Sequence, residues 1–201
     1  MTVQQRGEET RERILQAAMA SFAERGYDAT PVNTICAEAG VSKGAFYHHF
    51  SSKQGVFLEL LHGWLSGMDE GLADLQTERL EIPEQLMAMT NMICDVFDAA
   101  GDQLPMFLEF WSQAAHDPEV WEATRAPYRR YRAFFAAMIE AGITEGSIRP
   151  VDPDTTARVI VSLAVGLVLQ GLLDTEGADW GRVTTGGVRM LLEGISTEER
   201  P

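Results

Sequence analysis

The sequence predicts an all-α fold of about nine helices: an N-terminal three-helix unit containing a helix-turn-helix, then a C-terminal helical bundle. Three observations carry this expectation. Apolar residues recur at i, i+3 and i+4 through most of the chain. Alternating Val/Ile/Thr runs bounded by Asn-Gly or Asp-Gly, which would mark hairpins, do not occur. Glycine and proline fall between the periodic stretches, where helices stop and start. The chain has 201 residues, 45% of them hydrophobic and 23% charged, which excludes collagen-like, low-complexity and wholly disordered classes. Two cysteines, Cys36 and Cys94, cannot make a disulfide framework.

The first helix is expected over 8–25, with Ile14, Ala18 and Phe22 building its apolar stripe and Gly26 ending it in a left-handed C-cap. Thr30-Pro31 reads as a cap followed by proline at the first helical position, starting a short helix over 32–39. Gly40-Val41 makes a tight turn, Ser42 caps the next helix, and Phe46 and Phe50 form its buried edge. Ser51 or Ser52 caps a longer helix carrying Val56, Phe57, Leu60, Leu61, Trp64 and Met68. Pro83 starts a helix running to about Ala99, with a break at Gly101-Asp102. A further helix covers 103–116, and Asp117-Pro118 restarts the chain. The stretch 119–141 contains Pro127, which should kink or split it. Asp152-Pro153 caps an apolar helix to Leu173, and a last helix covers 178–193.

The net charge is −14, which by itself argues against nucleic acid. Its distribution changes that. Residues 1–55 carry six basic and six acidic groups, while the remainder carries ten basic and 24 acidic ones. This asymmetry suggests two jobs in one chain, divided as 1–55 and 56–201. The stretch TPVNTICAEAGVSKGAFYHHFSSK, residues 30–53, then forms a helix-turn-helix whose second helix has the right width for the major groove. Gly40 allows the turn, small Ala39 and Cys36 allow a close helix crossing, and Gly44 and Ala45 keep the second helix slim. Ser42, Lys43, Tyr47 and His48 then point outward.

The run AGVSKGAFYHHFSSK, residues 39–53, with FAERGYDAT before it, resembles the TetR family of transcriptional regulators over about residues 8–60. The resemblance implies a homodimer that binds a palindromic double-stranded DNA operator and is released when a small lipophilic effector enters the C-terminal domain. It implies that Thr30 caps the first motif helix while touching a phosphate. Ser42, Lys43, Gly44 and Ala45 open the recognition helix, and Tyr47 and His48 meet backbone or bases. His49 lies against phosphate or packs inward, and Lys53 at a helix N-terminus meets phosphate. Tyr47 and His49 also fit an ordinary packing role. With no arginine on the recognition helix, Lys43 is its one cationic base reader.

In the C-terminal half, Phe107, Phe110 and Trp111 on one helix, with Phe134, Phe135 and Met138 on another, are the candidate effector wall. Glu109, Gln113, Asn91 and His116 would orient the ligand, although such aromatic and Met stripes also serve as core. Charge leaves the ligand's sign open: the acidic surface favours a cationic or neutral lipophile, and Arg125, Arg129, Arg130 and Arg132 could orient an acid. Leu163, Gly166, Leu167, Leu191 and Leu192, among small residues, suggest a four-helix dimer interface or, alternatively, the completion of the monomer core. The longest apolar runs, such as 159–169, fall short of the ~20 residues that cross a bilayer, and no basic start precedes an apolar stretch. A cytoplasmic protein without membrane partner, metal or cofactor is expected. No Gly-rich phosphate loop, nucleophile elbow or acid/base pair points to an enzyme. A helical binding protein or enzyme for a lipophilic small molecule, with a merely structural N-terminal motif, is the alternative.

Overall fold

The computed structural model describes residues 3–76, 80–91, 104–174 and 176–197. Among these are nine helices: α1 (Val3–Arg25), α2 (Val32–Ala39), α3 (Lys43–His49), α4 (Lys53–Gln76), α5 (Ile82–Ala88), α6 (Leu104–Ala114), α7 (Pro118–Glu145), α8 (Pro153–Leu173) and α9 (Trp180–Ile195). The one extended pairing among them is an isolated antiparallel bridge between Ile148 and Ser196. The stretch between Asn91 and Leu104, with the expected helix to Ala99, the Gly101-Asp102 break and Cys94, lies outside the described residues.

Local chemistry sets most boundaries. Gly26 ends α1 at φ +80, a conformation that L side chains rarely adopt, and its N–H reaches Phe22 O at 2.9 Å. Ser52, rather than Ser51, caps α4, accepting the Gly55 N–H at 3.0 Å. At α5, Glu81 and Glu84 form a reciprocal capping box, so the helix begins at Ile82, one residue before Pro83. Asp117 Oδ1 accepts the N–H groups of Glu119 and Val120 at the start of α7, at 2.8 and 3.1 Å. Asp152 does the same for Thr155 at 2.7 Å in α8. Pro127 does not split α7, which runs 28 residues as one helix. A proline removes a single i→i−4 bond, and the long helix tolerates that loss.

The chain divides into two compact units, one of Met1–Ser66 with Gly101–Thr124 and the other of Gly67–Ala100 with Arg125–Pro201. This departs from the single cut after residue 55. The reason is packing along α4, whose first half belongs with α1 and α6. In the first unit Ile14, Ala18, Phe22, Ile35, Phe46, Val56 and Phe57 are at most 1% exposed. Phe22, Tyr27 and Phe57 pack with ring centroids 4.7–5.8 Å apart, and Phe110 of α6 stacks 4.8 Å from Phe57. Each such side chain taken out of water contributes about 1.5–3 kcal/mol. In the second unit Leu72, Ile82, Leu86, Met138, Ile139, Ile148, Leu192 and Ile195 form the core.

Candidate nucleic-acid interface

The α2–α3 pair is built as the sequence predicts. Gly40 takes the left-handed conformation at φ +64 and ψ 38, and the Val41 N–H closes on Cys36 O at 3.0 Å. Ser42 Oγ then accepts the Ala45 N–H at 3.1 Å and starts α3. Phe46 (fully buried) and Phe50 anchor α3 from below. The opposite face is therefore free: Ser42, Lys43, Gly44, Tyr47 and His48 are exposed, Tyr47 by 54%. Ala45 and His49 are half-buried. His49 lies beside Gly7 of α1, where a Cβ would stand 3.9 Å from its Cε1. Desolvation, then the neighbouring charges of His48 and Arg11, push its pKa below the usual imidazole value.

Two expected phosphate contacts are placed differently. Thr30 does not cap α2: Pro31 stands at the N-cap and no side chain bonds the α2 terminus. Thr30 is fully buried, with its hydroxyl 2.8 Å from Gly26 O and 3.2 Å from Ser21 O, so it tethers the end of α1. Lys53 Nζ donates to Tyr27 O at 2.7 Å and sits 4.0 Å from the centroid of the Tyr27 ring. The ammonium assigned to phosphate is thus engaged inside the chain, where desolvation pushes its pKa down against the pull of Asp28 and Glu109.

Other cations are also engaged. Arg25 pairs with Glu38 at 3.1 Å and Glu24 at 3.2 Å, and Arg11 pairs with Glu59 at 2.5 Å while lying 5.4 Å over the Phe50 ring. The helix α1 starts at Val3, before its apolar stripe, and this extra length places Gly7 beside His49 at the end of α3. Polar residues at a helix start carry no periodicity, so no sequence signal marked that contact.

The candidate effector wall falls into both units, each described by itself. Phe110 is buried against Phe57 and Trp64, at 4.8 and 6.5 Å between centroids, which makes it core of the first unit. Trp111 is 43% exposed, and the side chain of Phe107 lies outside the described set. In the second unit Met138 belongs to the core, with Phe134 and Phe135 partly buried against it and in a T-shaped pair at 5.4 Å. Of the expected orienting groups, Asn91 and His116 are exposed. Glu109 accepts from Gln113 at 3.1 Å and lies near Gly26. Among the described residues no three His, Cys, Asp or Glu side chains converge as a metal would require, and Cys36 is a buried free thiol.

The interface residues need correction as well. Leu167 and Leu192 are 4% and 6% exposed within one chain, so they are core and cannot face a partner. Leu163 packs on Gly187 of the same chain, 3.6 Å from its Cβ position, and Leu191 is half-buried. A Cβ on Gly166 would meet nothing within 4 Å. The apolar side chains left outside are Val159, Leu169 and Leu173 on α8 with Val183 and Met190 on α9. The helix Pro153–Leu173 is, by length and composition alone, long and apolar enough to cross a bilayer, contrary to the expectation that no run reaches that length. Only 28% of its most apolar stretch is buried.

Comparison with known proteins agrees with this geometry. A sequence model described as bacterial regulatory proteins, tetR family, matches residues 14–60, and one described as BetI-type transcriptional repressor, C-terminal, matches 83–191. The HTH-type transcriptional regulator UidR of Escherichia coli K12 is 26% identical over 198 residues, 97% of each chain. The ketosteroid transcriptional regulator KstR2 of Mycobacterium tuberculosis is 26% identical, with a TM-score of 0.73 over 94% of this chain and 95% of that one. A transcriptional regulator from Saccharomonospora viridis, solved in complex with choline, is 25% identical, with a TM-score of 0.82 over 95% of this chain and all of that one. These relatives are regulators, not enzymes. With both family models spanning α1 to α9 and a helix-turn-helix whose outer face is free, the chain belongs to the TetR family and is a DNA-binding transcriptional regulator.

Proposed function

We propose that this regulator is a cytoplasmic repressor that binds a palindromic operator as a homodimer and is released by a small lipophilic effector. The observation that carries the DNA reading is the two-sidedness of α3, with Phe46 fully buried beneath and Ser42, Lys43, Gly44, Tyr47 and His48 exposed above. Ala45 and the shallow Gly44 side let the helix approach the groove, Lys43 reads a base edge, and Tyr47 and His48 meet backbone or bases. His49 holds the end of α3 against α1. Lysine has one strong match in the major groove, guanine O6 and N7, so Lys43→Ala relaxes preference at one base position by ~1–3 kcal/mol.

Exposed apolar stripes support the dimer. Val159, Gly166, Leu169 and Leu173 follow one face of α8, and Val183, Gly186, Met190 and Gly194 one face of α9, with no heavy atom within 4 Å of a Cβ at Gly166, Gly186 or Gly194. Steps of three and four residues suit the shallow crossing of a four-helix bundle, and a second copy of the same two helices would cover the stripes. Dimerisation sets the spacing of two recognition helices to the ~34–36 Å of successive half-sites. The effector belongs to the region that matches the BetI-type model, with Phe134 and Phe135 as its aromatic side. The choline held by the Saccharomonospora viridis relative supports small-molecule binding in a chain of this length. Near-complete release requires the effector to favour the misfit spacing by ~5.5 kcal/mol.

A gel shift on the DNA upstream of the protein's own coding region, repeated at several salt concentrations, tests this reading. Binding that weakens steeply with salt and follows a symmetric sequence is expected. Salt-insensitive or absent binding, with the fold intact by circular dichroism, would favour the alternative of a lipophile-binding protein.

A further inference from the structure

Among the described residues two buried side-chain polar atoms have no hydrogen-bond partner, Arg132 Nε and Thr184 Oγ1. The arginine still faces a carboxylate, Asp154 Oδ1 at 3.3 Å. The threonine has nothing, and it is fully buried. A threonine inside a helix ordinarily satisfies itself on the carbonyl four residues back. Thr10, Thr124, Thr144 and Thr156 do so here at 2.7–2.9 Å, and the adjacent Thr185 bonds Gly181 O at 3.0 Å. Thr184 forgoes that bond. An orphaned buried hydroxyl is costly, and native structures keep few of them.

Its position gives the hydroxyl a context. Thr184, Val188, Leu192 and Ile195 recur at i, i+4, i+8 and i+11 on α9, and the last two belong to the core of the second unit, with Val188 packed against it. Thr184 is thus a polar group at the end of an inward apolar row. Tyr131, Phe134 and Phe135 of α7 pack against the same core and are only partly buried. Because Thr184 is covered within a single chain, a partner subunit cannot supply the missing bond.

We propose that Thr184 is the hydrogen-bonding anchor of the effector site, and that the effector is an uncharged lipophile carrying a carbonyl or hydroxyl oxygen. The inference rests on the effector reading above. A hydroxyl offers one donor and two acceptor positions, which matches a ketone or alcohol oxygen. It cannot offset the burial of a full charge, so the ligand's buried end is neutral. The apolar body of the ligand lies along the aromatic side, and the oxygen fixes its direction.

The test uses the full-length protein and two near-isosteric probes, 2-acetylnaphthalene and 2-ethylnaphthalene, which differ by one carbonyl oxygen. Titration followed by tryptophan fluorescence should give the wild type a roughly tenfold preference for the ketone. Thr184→Val should bind both probes alike, and Thr184→Ser should restore the preference. Without probe, Thr184→Val should melt at the wild-type temperature or above it, because the lost hydroxyl made no bond. A melting temperature lowered by several degrees would show that the hydroxyl is already satisfied, by water or protein, and would overturn the proposal. Equal binding of both probes to the wild type, or binding of neither, would overturn it as well. The wild-type gel shift is read separately: intact salt-dependent DNA binding beside a failed probe test counts against Thr184 alone.

Discussion

Replacing Lys53 by methionine separates two roles for one side chain. If Lys53 is an internal bridge, the substitution removes a 2.7 Å hydrogen bond from a charged donor to Tyr27 O and an ammonium 4.0 Å from the Tyr27 ring centroid. The first is worth about 1.5–3 kcal/mol and the second about 0.5–2. The desolvation that lowers the Lys53 pKa works against both, and methionine keeps the stem packed on the ring. A net loss of about 2 kcal/mol follows, which for a chain of this size lowers Tm by about 4–8 °C. The assays are a thermal melt by circular dichroism at neutral pH and the salt dependence of DNA binding. The bridge predicts the lowered Tm with the salt slope unchanged. A phosphate contact predicts an unchanged Tm and a slope reduced by about one. The second outcome would refute the bridge.

Three further substitutions probe the rest of the molecule. Gly166→Arg meets open space in the single chain, so the fold should survive while sedimentation shows monomers; an intact dimer would move the interface elsewhere. Phe110→Ala empties a site packed on Phe57 and Trp64 and should cost about 3–5 kcal/mol, read as a fall in the denaturant midpoint, because Phe110 is core. Tyr131, half-buried and bonded to Asp69, has its phenol pushed up to about 12, chiefly by desolvation. Below pH 10 its contribution to stability is fully present, and it is lost as pH rises from 10 through about 12, where the unfolded chain ionises first. Ultraviolet titration should show a late-ionising phenol that Tyr131→Phe removes.

The helix-turn-helix was legible because its determinants are local. Gly40, Ser42, Phe46 and Phe50 act within 11 residues on a turn, a cap and one buried edge, and each signal depends on backbone chemistry that tertiary context does not reverse. The family resemblance rests on the same stretch. Where a side chain's partner is distant in sequence, the reading failed. Thr30 looked like a cap but reaches back to α1, and Lys53 looked like a phosphate ligand but closes on Tyr27, 26 residues away. On α8, apolar residues occur on most faces, so periodicity alone could not say which face was inward. Packing decided that Leu167 is covered while Leu169 and Leu173 are exposed. The same holds for Thr184, whose hydroxyl is unremarkable in sequence and an orphan only once α9 is docked. Local conformational preference acts over one or two turns and is written residue by residue; burial and hydrogen-bond partnership depend on segments that meet only in the folded chain.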